Sequence, residues 1–201
     1  MNTVINKKTQ FEDPPIAKAL FGDVRWAWLW LILRVYAGWE WLNAGWGKVT
    51  NSAWVGSEAG KSISGFVQGA LTKSSGAHPD VQGWYASFLQ NVVLAHPVFW
   101  SYLISFGELL VGIALILGLF TGIAAFFGSF MNANYLLAGT VSTNPILFAI
   151  ATWLVLAWKI AGWWGLDRWV LPKLGTPWQP GLIFRDHDGH GRPLANQPGR
   201  A

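Results

Sequence analysis

Three ionisable side chains sit inside stretches otherwise suited to hydrocarbon. Glu108 lies near the middle of SYLISFGELLVGIALILGL, residues 101–119, and Arg34 and Glu40 lie within 24–47. A run of that length crosses the ~30 Å of a bilayer core at about 1.5 Å per residue. A charge held near mid-membrane costs roughly 2.5–3.5 kcal/mol, so such groups face a bundle interior or polar cavity and find partners. Counting residues inward from opposite ends puts Arg34 and Glu108 at one depth, with Asn132 in the same layer. An Arg34–Glu108 ion pair with Asn132 beside it is therefore expected, serving either chemistry or helix register. A second polar cluster is expected nearer the outside, built from Glu40, Asn43, Asn134 and Tyr135 with Lys48 at its mouth. Trp39, Trp41 and Trp46 could flank a flat ligand there. Such a set can donate hydrogen bonds and move protons.

The elements that must carry these groups follow from composition. Of 201 residues, 52% are hydrophobic and 12% charged, and the mean hydropathy is +0.32. That is too apolar for an ordinary soluble domain. The expected class is an all-α integral membrane protein: a four-transmembrane-helix bundle with an external loop carrying an interfacial helix, all in one domain, 1–201. Spans are expected at about 24–47, 98–119, 122–139 and 146–166, with the external loop at 48–97 and cytoplasmic tails at 1–23 and 167–201. Within the loop, 50–83 is rich in Gly, Ser and Ala and reads as irregular. Trp84, Tyr85, Phe88, Leu89, Val92 and Val93 recur at helical spacing and predict the interfacial helix. The short 118–122 stretch predicts a tight hairpin between the second and third spans. Gly38 with Gly45, and Gly107 with Gly112, predict close helix approach.

Four spans put both termini on one side. Nine basic residues lie there (Lys7, Lys8, Lys18, Arg25, Arg168, Lys173, Arg185, Arg192, Arg200), against Lys48, Lys61 and Lys73 in the loop. The positive-inside rule then predicts a multi-pass protein of a bacterial-type cell membrane with cytoplasmic termini. No cleaved signal peptide is read in 1–23. Lys159 in the fourth span is expected to snorkel to the cytoplasmic interface. The basic residues are dispersed, so no nucleic-acid partner is expected. The chain has no Cys, which excludes disulfides, iron–sulfur ligation and thiol relays. None of the four His falls in a predicted span, so no internal bis-His haem is expected. Asp186-His187-Asp188-x-His190 has metal-ligand character, but its Gly- and Pro-containing surroundings favour a solvated tail, and no metal is assigned.

Leu33-Arg34-Val35 through Gly38, Ala44-Gly45, Gly47-Lys48, Gly107-Glu108-Leu109-Leu110-Val111-Gly112 and Leu117-Gly118-Leu119-Phe120-Thr121 resemble the DoxX/DoxD family, and Gly83-Trp84-Tyr85 through Phe88-Leu89 resembles its DoxD side. The resemblance implies a small four-helix membrane protein. In some members it implies the membrane subunit of a thiosulfate:quinone oxidoreductase. Arg34, Lys48 and Glu108 match motif positions without assigned roles.

The leading expectation is a quinone-linked oxidoreductase subunit passing electrons from a small sulfur anion to membrane quinone, with quinone as substrate and a second redox subunit as partner. Trp39, Trp41 and Tyr135 would form the pocket, Asn132 or Asn134 with Arg34 would bind carbonyls, and Glu40 or Glu108 would deliver protons. Lys48, with Lys61 or Lys73, would attract the anion. The alternatives are a non-enzymatic scaffold for a redox enzyme and a small-anion transporter; against the latter, no inverted repeat is visible.

Overall fold

The computed structural model describes residues 13–176. The Asp186–His190 run and Lys7, Lys8, Arg185, Arg192 and Arg200 lie outside them. Within the described residues the chain is helical, with no strand.

α1 (Pro15–Gly22) and a 3-10 turn (Val24–Trp26) lead into α2 (Ala27–Val49). Part of the expected polar tail is thus helical. Pro15 starts α1 where a missing N–H costs nothing, and Trp30 Nε1 donates to Leu20 O at 2.8 Å, tying α1 to α2. α3 (Lys61–Thr72) follows, then α4 (Gly83–Phe88) running into a π-helical turn at Leu89–Val93. α5 (Pro97–Leu117) and α6 (Thr121–Leu137) come next, then α7 (Asn144–Leu156), a single turn α8 (Trp158–Ala161), and α9 (Asp167–Lys173).

α3 corrects the expectation of an irregular 50–83. Ile63, Phe66, Val67, Ala70 and Leu71 follow helical spacing, and Ile63, Val67 and Ala70 are buried. The small and polar residues between them masked the period. The expected helix at Trp84–Val93 is present, with Tyr85, Leu89 and Val93 inward. The expected fourth span, 146–166, is instead broken at Ala157 between α7 and α8.

α2 pairs most extensively with α5, and α6 with α7; contacts of α5 with α6 and α2 with α7 close the ring. Trp30, Ala37, Trp41, Val111, Leu115, Ala125, Ile150 and Leu154 fill its interior. A second core under α3 and α4 unites Ile63, Val67, Val81, Tyr85, Leu89 and Ala138 into a cap. Ser101 Oγ donates to Trp54 O at 2.6 Å and so holds the cap to α5.

Glycine sets how closely α2 and α5 approach. A Cβ at Gly45 would overlap the backbone of Leu109, one at Gly112 that of Leu42, and one at Gly38 would stand 3.0 Å from Ile116 N. These contacts define one antiparallel register, which places Lys48 beside Glu108 and Arg34 beside the α5–α6 hairpin. Gly107 takes no part: a Cβ there would meet only Met131 Sδ, at 3.6 Å.

Among the described residues, one helix, Pro97–Leu117, is both long and apolar enough to cross a membrane.

Candidate functional site

Trp30, Arg34, Ala37, Trp41 and Gly45 form the buried stripe of α2, and Lys48 continues it at the same three- and four-residue spacing. Glu108 on α5 is 1% exposed. Lys48 Nζ meets Glu108 Oε2 at 2.5 Å, with the Lys48 side chain 21% exposed, and lies 5.2 Å from the centre of the Trp54 ring. Tyr135 on α6 donates its hydroxyl to Glu108 Oε1 at 2.5 Å. Both carboxylate oxygens are thereby engaged, by a cation from α2 and a phenol from α6.

The expected Arg34–Glu108 pair does not form. In the α2–α5 register the two residues stand about 18 Å apart along the helix axis, at ~1.5 Å per residue. Counting depth from assumed span ends missed this because α2 is offset along α5: with Gly38 against Ile116 and Gly45 against Leu109, Arg34 falls level with the α5–α6 hairpin, the first turns of α2 run past it, and Lys48 comes up to Glu108. Arg34 instead caps α5: Nη1 donates to Leu115 O at 2.5 Å and Ile116 O at 3.1 Å, and Nη2 to Trp164 O at 3.2 Å. The last carbonyls of a helix lack intrahelical partners and carry partial negative charge, so a guanidinium belongs there. Asp167 does the complementary work at the start of α6, accepting from Phe120 N at 2.6 Å and Thr121 N at 2.9 Å. Sequence reading passed over Asp167 as the first residue of a tail; 47 residues separate it from the amide it caps. Arg34 and Asp167 thus brace the hairpin and stand apart from the Glu108 site.

A cavity of about 340 Å³ opens beside Glu108, lined by Glu40, Trp41, Lys48, Trp54, Ile63, Phe66, Asn132 and Tyr135, with Thr140, Ser142 and Thr143 toward its mouth. Six expected residues therefore converge: Glu40, Trp41, Lys48, Glu108, Asn132 and Tyr135. Asn132 is fully buried with neither amide atom hydrogen-bonded, and the indole nitrogen of buried Trp41 is likewise unpartnered. Buried polar atoms without partners are uncommon and cost about 1–3 kcal/mol each. Gly128 makes room for that indole, since a Cβ there would lie 3.2 Å from Trp41 Nε1.

Three expected cluster members lie elsewhere. Trp39 is 56% exposed and lines an outward groove with Ile32, Val35 and Tyr36. Asn43 is exposed. At about 100° per residue, Trp39 lies on the opposite side of α2 from Trp41. Asn134 is similarly two residues past Asn132 and faces the cap, where Tyr85 donates its hydroxyl to Asn134 O and Oδ1, both at 3.0 Å. Asn134 Nδ2 in turn donates to Phe130 O at 2.8 Å.

The expected lysine attractor for an anion does not assemble. Lys48 is paired with Glu108, Lys61 lies 3.6 Å from Glu58, and Lys73 donates to Gly139 O at 2.7 Å. With Glu40 and Glu108 against Lys48, the cavity carries formal charge −1, which favours a neutral ligand over an anion. Among the described residues no His/Asp/Glu group of metal-binding geometry occurs.

In comparison with known proteins, the DoxX family model matches residues 29–140, which run from the first turn of α2 through α6 and include every residue that engages Glu108. No curated protein and no solved structure matches the chain.

Proposed function

The chain belongs to the DoxX family of membrane proteins, and from that premise we propose that it is a four-span membrane subunit of a quinone-linked oxidoreductase, with the quinone head bound in the cavity beside Glu108. Four spans are supported by the outer surface. Ile32, Val35 and Trp39 on α2, Leu103 and Leu110 on α5, Ile123 and Phe126 on α6, and Ile146 and Trp153 on α7 are all exposed. A ring of helices with polar groups inside and large apolar groups outside suits lipid as its solvent.

The observation that carries the quinone reading is the pair of orphaned donors, Trp41 Nε1 and Asn132 Nδ2, on two residues that line a cavity whose carboxylate already has cationic and phenolic partners. A quinone carbonyl accepts hydrogen bonds and brings no charge, so it satisfies both donors without opposing the cavity's negative balance. Reduction to quinol takes two electrons and two protons. Glu108 and Tyr135 form the hydrogen-bonded route for protons, and Lys48, partly exposed, links that route to the mouth. The electrons come from a small sulfur anion oxidised on a partner subunit, because the cavity's charge disfavours that anion here.

The test is binding of a truncated-tail quinone to purified protein in bilayer nanodiscs. Wild type should bind; Trp41→Phe and Asn132→Leu should each weaken binding about tenfold, the worth of one hydrogen bond. Lys48→Met/Glu108→Gln, which leaves no unpaired charge behind, should retain fold and binding but lose donor-dependent quinol formation with the partner present. No binding to wild type would leave the scaffold reading in its place.

A further inference from the structure

A second cavity, of about 400 Å³, lies between the cap and the outward side of α5 and α6, and it shares Ile63, Phe66 and Tyr135 with the first. Resting on the quinone reading above, we propose that this chamber holds the first part of the quinone's isoprenoid tail, which enters from the bilayer at Gly107.

Three observations support that occupant. The polar groups on the chamber wall are already satisfied: Tyr85 by Asn134, the Asn134 amide by Phe130, and Tyr135 by Glu108. Nothing there asks for a polar ligand, so the chamber suits hydrocarbon. Its rim is exposed where bilayer would lie, since Leu103, Leu110, Phe127 and Phe130 are each both chamber-lining and 49–65% exposed. Leu103, Gly107 and Leu110 share one face of α5, and Phe127 and Phe130 share one face of α6, so the missing side chain at Gly107 leaves a gap between two apolar ridges. The chamber also adjoins the head site, with Ile63, Phe66 and Tyr135 lining both. The Phe66 and Tyr135 rings meet edge to face, with centroids 6.0 Å apart, and the tail crosses this partition beside Ile63. Tyr135 then has one side to the head, one to the tail, and its hydroxyl on the proton route.

The experiment uses a quinone carrying a photoreactive diazirine on its second isoprene unit, with full-length protein in phosphatidylcholine–phosphatidylglycerol vesicles, and adducts mapped by mass spectrometry. Adducts should concentrate in 103–111 and 127–134. Gly107→Leu, for which a Cβ has room beside Met131, should cut that labelling at least tenfold by filling the gap. Labelling spread over the lipid face of α2, at Ile32 and Val35, would overturn the tail chamber, and so would labelling unaffected by Gly107→Leu. Equal labelling by a diazirine phospholipid would do the same, making the chamber a general lipid pocket. The truncated-tail quinone, assayed in parallel on wild type, separates the two readings. Its binding with scattered tail adducts removes this inference alone; its failure to bind with no chamber adducts removes both.

Discussion

Glu108 shows how one carboxylate can be kept in a helical interior, 1% exposed. Lys48 neutralises one oxygen and Tyr135 satisfies the other. Removing one partner of a buried pair leaves an uncompensated charge, at a cost of about 3–5 kcal/mol, whereas replacing both is far milder. Lys48→Met should therefore lower unfolding stability in detergent by that order, and Lys48→Met/Glu108→Gln should recover much of the loss. Additive effects across this double-mutant cycle would refute the coupling. Tyr85, in the cap, offers a separate handle: burial pushes its phenol up to about 12. The unfolded chain then releases that proton first, near pH 10, so the group's contribution is complete below pH 10 and declines as pH rises toward 12. The decline is about 1.4 kcal/mol per pH unit. Tyr85→Phe should flatten that alkaline limb of a stability–pH profile; an unchanged limb would assign it to other groups.

The α2–α5 pair is the element-level device that builds the site. Gly45 lets α2 press onto the Leu109 backbone, and Lys48, three residues on, arrives at Glu108 as a consequence. Gly112→Leu should force the helices apart and separate Lys48 from Glu108, giving a cooperative loss of stability and of quinone binding together. Gly107→Ala on the same helix should stay within about 0.5 kcal/mol of wild type, as expected away from close contacts. Thermal unfolding of the two variants side by side distinguishes register-setting glycines from the one that only leaves a gap. The α5–α6 hairpin is held differently: Gly118 adopts φ 64°, a left-handed conformation that favours glycine, and the charged caps Arg34 and Asp167 engage the two helix ends flanking it.

On the scale of the whole molecule, the proposed topology puts the cap outside and both termini in the cytoplasm. The absence of native Cys makes this directly measurable. Ser75 in the cap and Lys173 at the other end are exposed. In intact bacterial cells an impermeant maleimide should label Ser75→Cys and spare Lys173→Cys, with both labelled after lysis. The reverse pattern would invert the orientation, and labelling of both in intact cells would refute an even number of spans. The cap belongs to the site as much as the bundle does, since Trp54, Ile63 and Phe66 from the long loop line the cavity beside Glu108.

The sequence by itself determined that apolar helices would carry a few polar groups inward, because hydrophobic patterning and the cost of stranded charge act on local composition. It also picked out Glu108, Lys48, Asn132, Trp41 and Tyr135 by residue type. Which of them meet was decided only by the tertiary structure. Partner choice depends on helix register and rotation, set by backbone contacts at Gly45 and Gly112 between residues distant in the chain. A shift of about one helix turn in that register separates a paired lysine from an uncompensated one. The same holds for Asp167, whose role exists only because α9 returns to the amides that begin α6.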